Sequence, residues 1–349
     1  MLLRHFLQEA AASLESLYPA AEARSIVLRL CEHFLGVKSY THIVEPEYSI
    51  GDSSMERLRL SMERLRHGEP LQYVLGECEF CSRRFRVAPG VLIPRPETEQ
   101  LCREALKCAG SSSRVLDLCS GSGCIAWTLA LSAPGAQVTG VDLSDAALEI
   151  ARGQDFSASL AESGAVAPLF VKADILDFTT DFVSGSFDLI LSNPPYIMEK
   201  ERVDMRKNVL EYEPSLALFV PDDDPLVFYR AIAHWAKRFL SPSGCGIVEI
   251  NETLGEETSE LFRASGFPSV SVLQDFLIKI DSFCSENRPC RCVQGRFCKL
   301  SVLYFFKTDN CLLLCSRNRI IARMSQNEKM DYLFYARLDY FVFGLRAIG

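Results

Sequence analysis

Apolar residues recur every three to four positions through the first 75 residues of the chain. Leu3, Phe6 and Leu7, then Ala10, Leu14 and Leu17, follow the i, i+3, i+4 spacing of an amphipathic helix. Ile26, Leu28, Leu30 and Phe34 predict a second helix with Gly36 as its C-cap, and Met55, Leu58, Met62 and Leu65 a third that closes at Gly68. Residues 1–75 therefore read as a small helical bundle. The pattern changes from Glu69. "GEPLQYVLGECEFCSRRFRVAPGVLIPRPETE" mixes short apolar runs with Gly and Pro, which predicts a β-hairpin linker over 76–97. Glu97, Thr98 and Glu99 then open a helix through Ala105, with acids where the helix dipole favours them. From Arg114 strands and helices alternate. RVLDL (114–118), QVTGVD (137–142), PLFVKAD (168–174), FDLILSN (187–193) and CGIVEI (245–250) predict strands, with helices at Asp145–Arg152, Pro225–Leu240 and Gly255–Ser265. Near-continuous apolar strands between helices predict an α/β domain over 98–275, with a mostly parallel sheet covered on both faces.

Composition narrows the setting. A chain of 349 residues, 48% of them apolar, suffices for two or three domains with sizeable cores. No run reaches the ~18 apolar residues of a membrane helix, and the charged N-terminus lacks the unbroken apolar core of a signal peptide. A cytoplasmic protein without a membrane partner is expected. The net charge of −8 weighs against direct nucleic-acid binding, which favours a basic face. Of 14 cysteines, Cys31, Cys78, Cys81, Cys102, Cys108, Cys119, Cys124 and Cys245 stand singly and read as small buried hydrophobes. The last 74 residues differ: they carry 12 Lys and Arg against 6 Asp and Glu, whereas the first 275 carry 25 against 39. There Cys284, Cys290, Cys292 and Cys298 lack the paired C-x2-C spacing of zinc sites, so no metal is expected. Residues 276–349 read as an atypical, irregular tail, as from a shifted reading frame after about residue 276.

Two stretches carry chemistry. In "LDLCSGSGCIA" (116–126) a strand ends, Cys119, Ser120, Gly121, Ser122 and Gly123 form a tight turn, and a helix begins whose free N–H groups suit an anionic group. Asp142 ends the next strand, 21 residues after Gly121, where an acid accepts hydrogen bonds from both hydroxyls of a ribose. Gly121, Gly123 and Ala126 also satisfy G-x-G-x-x-A, so the loop alone admits a nicotinamide dinucleotide. Asp174 and Ile175, ending the third strand, are placed to hydrogen-bond and cover an adenine.

The fourth strand ends in Asn193-Pro194-Pro195-Tyr196. Two prolines stiffen the corner, Asn193 and a proline carbonyl accept hydrogen bonds, and Tyr196 adds a flat face. That set suits a planar group bearing –NH2, held with its nitrogen lone pair aimed at an electrophile. Beside a nucleoside site, the matching electrophile is a methyl sulfonium. Hydride transfer has no use for such a clamp. Arg95 and Glu97 read as an ion pair or helix cap, and Glu249 and Glu252 as structural.

"GEPLQYVLGECEF", "VLIPRPETE", "LDLCSGSGCIA", "VDLS", "SNPPYI" and "YEPSLAL" resemble, in that order, the bacterial protein-(glutamine-N5) methyltransferases of the HemK/PrmC type, over about residues 1–275. The resemblance implies a helical N-terminal domain that docks release factors, a hairpin linker and a Rossmann-like class I methyltransferase domain. It implies transfer of a methyl group from S-adenosylmethionine to the glutamine of the Gly-Gly-Gln motif in peptide chain release factors 1 and 2. The cofactor would then meet Cys119–Gly123, Asp142, Asp174, Ile175 and Asn193. Substrate recognition would fall on Asn193, Pro194, Pro195 and Tyr196, with Asn193, Pro194 and Tyr196 catalytic. N-P-P-Y also occurs in methyltransferases of nucleic-acid amino groups, and a related enzyme methylates a ribosomal protein. The "RPETE" segment favours release factors. Three departures stand out: Cys119 and Asn251 replace the family's usual Gly, and the tail replaces its short ending. Cys119 crowds the turn, Asn251 tolerates a left-handed conformation, and an impaired binding protein is the non-enzyme alternative.

Overall fold

The computed structural model describes residues 1–274 and 302–307. The N-terminal bundle comprises α1 (Leu3–Ala12), α2 (Ala20–Leu35), α3 (Thr41–Val44), α4 (Asp52–Arg66) and α5 (Leu71–Leu75). Leu3, Leu7, Leu14, Leu30, Leu58 and Leu65 are buried in its common core. Gly36 ends α2 at φ 67, a left-handed cap that costs glycine little. Two expectations shift. The buried face of α2 is Ala23, Val27, Leu30 and Cys31, while Ile26, Leu28 and Phe34 lie at its margins. Ile26 and Leu28 are about 200° apart around a helix and cannot share one face. Leu17 is exposed, because α1 stops at Ala12 and its periodicity stops there too.

β1 (Glu77–Phe80) and β2 (Arg83–Arg86) form the expected hairpin, in antiparallel register from Glu77↔Arg86 to Phe80↔Arg83. Its two-residue turn, Cys81 and Ser82, has φ 49 and 58, the left-handed pair that matches strand twist. The buried Phe80 and Phe85 pack into the core of the domain that follows.

That domain runs α6 (Thr98–Cys108), β3 (Arg114–Leu118), α7 (Cys124–Ser132), β4 (Gln137–Asp142), α8 (Asp145–Arg152), α9 (Ser157–Ser163), β5 (Leu169–Lys172) and β6 (Phe187–Ser192). It continues with β7 (Ile197–Met198), α10 (Lys207–Tyr212), β8 (Phe219–Val220), α11 (Val227–Phe239), β9 (Leu240–Ile250), α12 (Gly255–Ala264), β10 (Ser269–Gln274) and β11 (Val302–Lys307). The main sheet has the order β10-β11-β9-β6-β3-β4-β5. The five strands from β9 to β5 are mutually parallel, and β11 runs antiparallel to both its neighbours.

Alternate residues serve opposite faces. Val115, Leu189 and Ile247 pack with Leu101, Ile125 and Leu148 on one side, and Leu116, Ile190 and Val248 with Tyr229, Trp235 and Phe262 on the other. Both faces are covered, as a parallel sheet requires. The third strand is shorter than expected, ending at Lys172 because Asp174 turns the chain by accepting a hydrogen bond from the Leu176 N–H at 2.8 Å. Among the single cysteines, Cys108 is exposed and Cys81 and Cys119 are half-buried, while Cys31, Cys78, Cys102, Cys124 and Cys245 are buried. β11 lies past residue 275, so the sheet draws a strand from beyond the boundary expected for this domain. At Val302–Lys307 the irregular-tail expectation is therefore corrected, because those residues pair with β9 and β10 as a regular strand, while Cys284, Cys290, Cys292 and Cys298 and the rest of the tail lie outside the described residues.

One buried acid ties the linker to the domain. Glu213, whose side chain is 1% exposed, accepts a hydrogen bond from the Ile93 N–H at 3.1 Å and pairs with Arg95 at 2.6 Å. Arg95 thus makes an ion pair, while Glu97, at the N-cap of α6, makes no side-chain cap bond. Replacing Glu213 by Ala strands the Ile93 N–H and removes the partner of Arg95. Because Arg95 keeps some solvent contact, a loss near the low end for buried pairs is expected, about 3 kcal/mol in chemical denaturation. A change under about 0.5 kcal/mol would show that the linker is held elsewhere.

Candidate active site

Between β3 and α7 the chain alternates in and out of the left-handed region, with Cys119 at φ 60, Gly121 at φ 54 and Gly123 at φ 78. At Gly123 a Cβ would sit 2.8 Å from the Phe170 ring, so glycine there is a packing requirement as well as a conformational one. Cys119 holds its conformation without that freedom, which costs on the order of 1 kcal/mol. The turn points its amides at the end of β4. The Gly121 N–H donates to Asp142 Oδ2 at 2.7 Å, and the Ser144 N–H donates to Oδ1 at 2.9 Å. Each carboxylate oxygen is thereby fixed in direction while keeping a second acceptor position. Burial pushes the Asp142 carboxyl up from its ordinary range, and the N–H groups of Ser144 and Gly121 oppose that push.

A cavity of about 310 Å³ opens above these strand ends. Cys119, Ser120, Gly121, Ser122, Asp142, Asp174, Ile175 and Asn193 all border it, and Gly123 caps the helix just behind. Its far wall is the linker segment Gly90–Leu92 with Pro94, and Phe228 closes one side. The fit to S-adenosylmethionine is direct. The fixed Asp142 carboxylate offers the acceptors that ribose hydroxyls would need, and Asp174 and the buried Ile175 line the same cavity with the polar and apolar groups that would suit an adenine. The buried Ser120 Oγ, at the loop itself, has no hydrogen-bond partner among the described residues. Burial, and then the charges of Asp142 and Asp117, push the Cys119 thiol well up, so it stays a neutral thiol beside a site for an alkylating cofactor.

Asn193 follows the last residue of β6 and borders both this cavity and a smaller one of about 120 Å³. Pro195 faces the larger space, Pro194 and Tyr196 the smaller, which Leu92, Met205, Val209 and Leu218 make largely apolar. The corner is thus a partition between two compartments. Two residues not anticipated as site members hold it. Asn193 Nδ2 donates to Thr98 Oγ1 at 2.9 Å, and the Tyr196 hydroxyl donates to Glu249 Oε1 at 2.8 Å. Thr98 reads in the sequence as a helix opener. Glu249 offered a signal: an acid inside the apolar run I-V-E-I is buried and so needs partners.

Asn251 is also corrected. It does not use the left-handed region (φ −68). Its side chain caps the following turn by accepting from the Thr253 N–H, and its Nδ2 donates to the Tyr196 carbonyl at 3.1 Å.

The strand order, the Gly-rich first turn and the strand-end acid define a class I methyltransferase dependent on S-adenosylmethionine. The family model "Methyltransferase small domain" matches residues 98–212, and "PrmC N-terminal domain" matches residues 5–76. Release factor glutamine methyltransferase of Bacteroides thetaiotaomicron is 39% identical over 277 residues, covering 79% of this chain and 96% of that protein. The enzyme of the same name from Flavobacterium psychrophilum is 37% identical over 280 residues, covering 79% and 95%. A crystal structure of the release factor-specific protein-(glutamine-N5) methyltransferase of Alicyclobacillus acidocaldarius is 27% identical, with a TM-score of 0.32 over 64% of this chain and 99% of that one. The chain belongs to the release factor glutamine methyltransferase family.

With Asp142 as the candidate ribose acceptor, accepting on both oxygens requires its ionised form, and its carboxyl is raised by burial. Affinity for S-adenosylmethionine is therefore expected to fall on acidification, beginning above the ordinary aspartate range of about 4. Titration by calorimetry from neutral pH to about pH 5 checks this. Asp142→Asn should bind at least about 10-fold more weakly and lose that slope. An unchanged slope in the variant would assign the dependence to another group.

Proposed function

We propose that this protein transfers a methyl group from S-adenosylmethionine to the side-chain amide nitrogen of the glutamine in the Gly-Gly-Gln motif of release factors 1 and 2. The observation that carries the reading is the Asn193–Tyr196 corner, which borders a cofactor-sized cavity on one side and a small apolar one on the other. A glutamine side chain entering the smaller space presents its amide at that partition. Asn193 Oδ1 and the Pro194 carbonyl then accept the two amide hydrogens, and the Tyr196 ring covers the amide plane. Bound S-adenosylmethionine supplies an electrophilic methyl group on a sulfonium.

An amide nitrogen is a weak nucleophile, because its lone pair is delocalised into the carbonyl. Two acceptors on its hydrogens draw density back to nitrogen, favour rotation of the lone pair toward the methyl donor, and stabilise positive charge as it develops. The extra proton leaves after transfer, so no strong base is required beforehand. Asn193, Pro194 and Tyr196 are in this reading the catalytic residues, with Pro195 setting the corner.

The relatives' names support release factors as substrates, and the matched N-terminal domain supports a docking role for α1–α5. That bundle touches the substrate side: Arg206 pairs with Glu22 at 2.9 Å, and the Tyr212 hydroxyl donates to the His67 carbonyl at 2.9 Å. Among the described residues no helix is long and apolar enough to cross a membrane. The reading places the enzyme in the cytoplasm, where release factors act.

Labelled S-adenosylmethionine offered with release factor, with the same factor carrying Ala for the motif glutamine, or with RNA tests it. Label should enter the first only. Asn193→Ala should lower turnover by at least about 100-fold, a loss that persists at saturating S-adenosylmethionine in a variant that still folds. Equal labelling of the glutamine-less factor, or label in RNA, would refute the assignment.

A further inference from the structure

The register Ser192↔Val248 brings the next residues of β6 and β9, Asn193 and Glu249, to the same edge of the sheet. Glu249 is 1% exposed, and Thr98, at the start of α6, is 2% exposed. Thr98 Oγ1 donates to Glu249 Oε2 at 2.8 Å and accepts from Asn193 Nδ2 at 2.9 Å, while the Tyr196 hydroxyl donates to Glu249 Oε1. A threonine hydroxyl has one proton. A carboxylate is acceptor only, so that proton is committed to Glu249, and toward Asn193 the hydroxyl can only accept. Asn193 must then turn its NH2 to Thr98 and its Oδ1 away from it.

We infer that Glu249 and Thr98 are positioning residues that fix the amide orientation of Asn193, and through it the choice of an –NH2 group as substrate. The inference rests on the assignment of Asn193 as the residue that holds the substrate amide. A flipped Asn193 would offer a donor to the substrate, favouring a carboxylate over an amide. As an acceptor, Glu249 thus sets, two hydrogen bonds away, which atom the substrate meets. The same carboxylate holds the outer edge of the Tyr196 ring, so the acceptor and the flat cover of the clamp share one anchor.

Glu249→Gln tests this at constant volume. A glutamine can turn either its Oε1 or its NH2 toward Thr98, the second sending the threonine proton to Asn193 Oδ1, so the single enforced orientation of Asn193 is lost. Thr98→Val removes the relay, and Thr98→Ser keeps its hydroxyl. Binding of full-length release factor, and of the same factor with Glu for the motif glutamine, is measured to enzyme saturated with S-adenosylhomocysteine. Wild type should prefer the glutamine form by about 10-fold or more. Glu249→Gln and Thr98→Val should shrink that preference toward about one and lower kcat by about 10- to 100-fold, with S-adenosylhomocysteine affinity within about threefold. Thr98→Ser should restore most of the preference. A folded Thr98→Val variant with wild-type preference would overturn the relay. So would Thr98→Ser behaving as Thr98→Val, or a loss that tracks cofactor binding and melting temperature. Wild type lacking any preference for glutamine would instead overturn the assignment of Asn193, and the relay with it.

Discussion

A parallel strand covered on both faces is mostly apolar along its ladder, and its polar side chains gather chiefly where that ladder ends. In this sheet Leu118, Ser192 and Val248 lie side by side across β3, β6 and β9. The next residue of each strand is Cys119, Asn193 and Glu249. One step of chain therefore carries three neighbouring strands from core into site. The methyl-donor cradle on β3 and β4 and the amide corner on β6 come to lie together because the strands do. The chemistry needs both within reach of one methyl group, and sheet register supplies that proximity.

Two buried carboxylates then convert proximity into direction. Glu213 takes the Ile93 amide and Arg95, holding the linker as the far wall of the cofactor cavity. Glu249 takes two hydroxyls, from Thr98 and Tyr196. Buried acids are costly unless their oxygens are fully occupied, and charge-assisted hydrogen bonds of this kind offset the desolvation while fixing geometry. Each acid joins segments far apart in the chain, so the site is stiff although corner, linker and turn are all loops. Stiffness matters here because the nucleophile is poor and alignment supplies much of the rate.

The first turn shows how narrowly this family's geometry is defined. Gly123 has no space for a side chain beside Phe170, whereas Cys119 carries one in the left-handed region. The smallest polarizable side chain fits where a branched one would meet its own backbone. Its thiol, kept neutral by burial and nearby acids, shares the compartment with a methyl donor without competing for the methyl group.

Much of this was legible from residue order alone, because it depends on local periodicity and local stereochemistry. The helix of Asp145–Arg152, the strands RVLDL and QVTGVD, the hairpin and the cap at Gly36 all follow from patterns within ten or so residues. So do the cofactor turn, Asp142 and the N-P-P-Y corner, whose chemistry lies in adjacent side chains. The face that α2 buries was not legible, since a helix with apolar residues on several sides turns the one its partners can fill. Nor was the strand at Val302–Lys307, separated by a long stretch from the strands it joins. Thr98 and Glu249 are the sharpest case. They lie 151 positions apart, and each taken alone is an ordinary helix opener or a strand acid. The sequence by itself determined which groups this protein brings to its substrate. Only the tertiary structure decided which way they face, because a hydrogen bond's polarity depends on every partner in the chain of donors and acceptors.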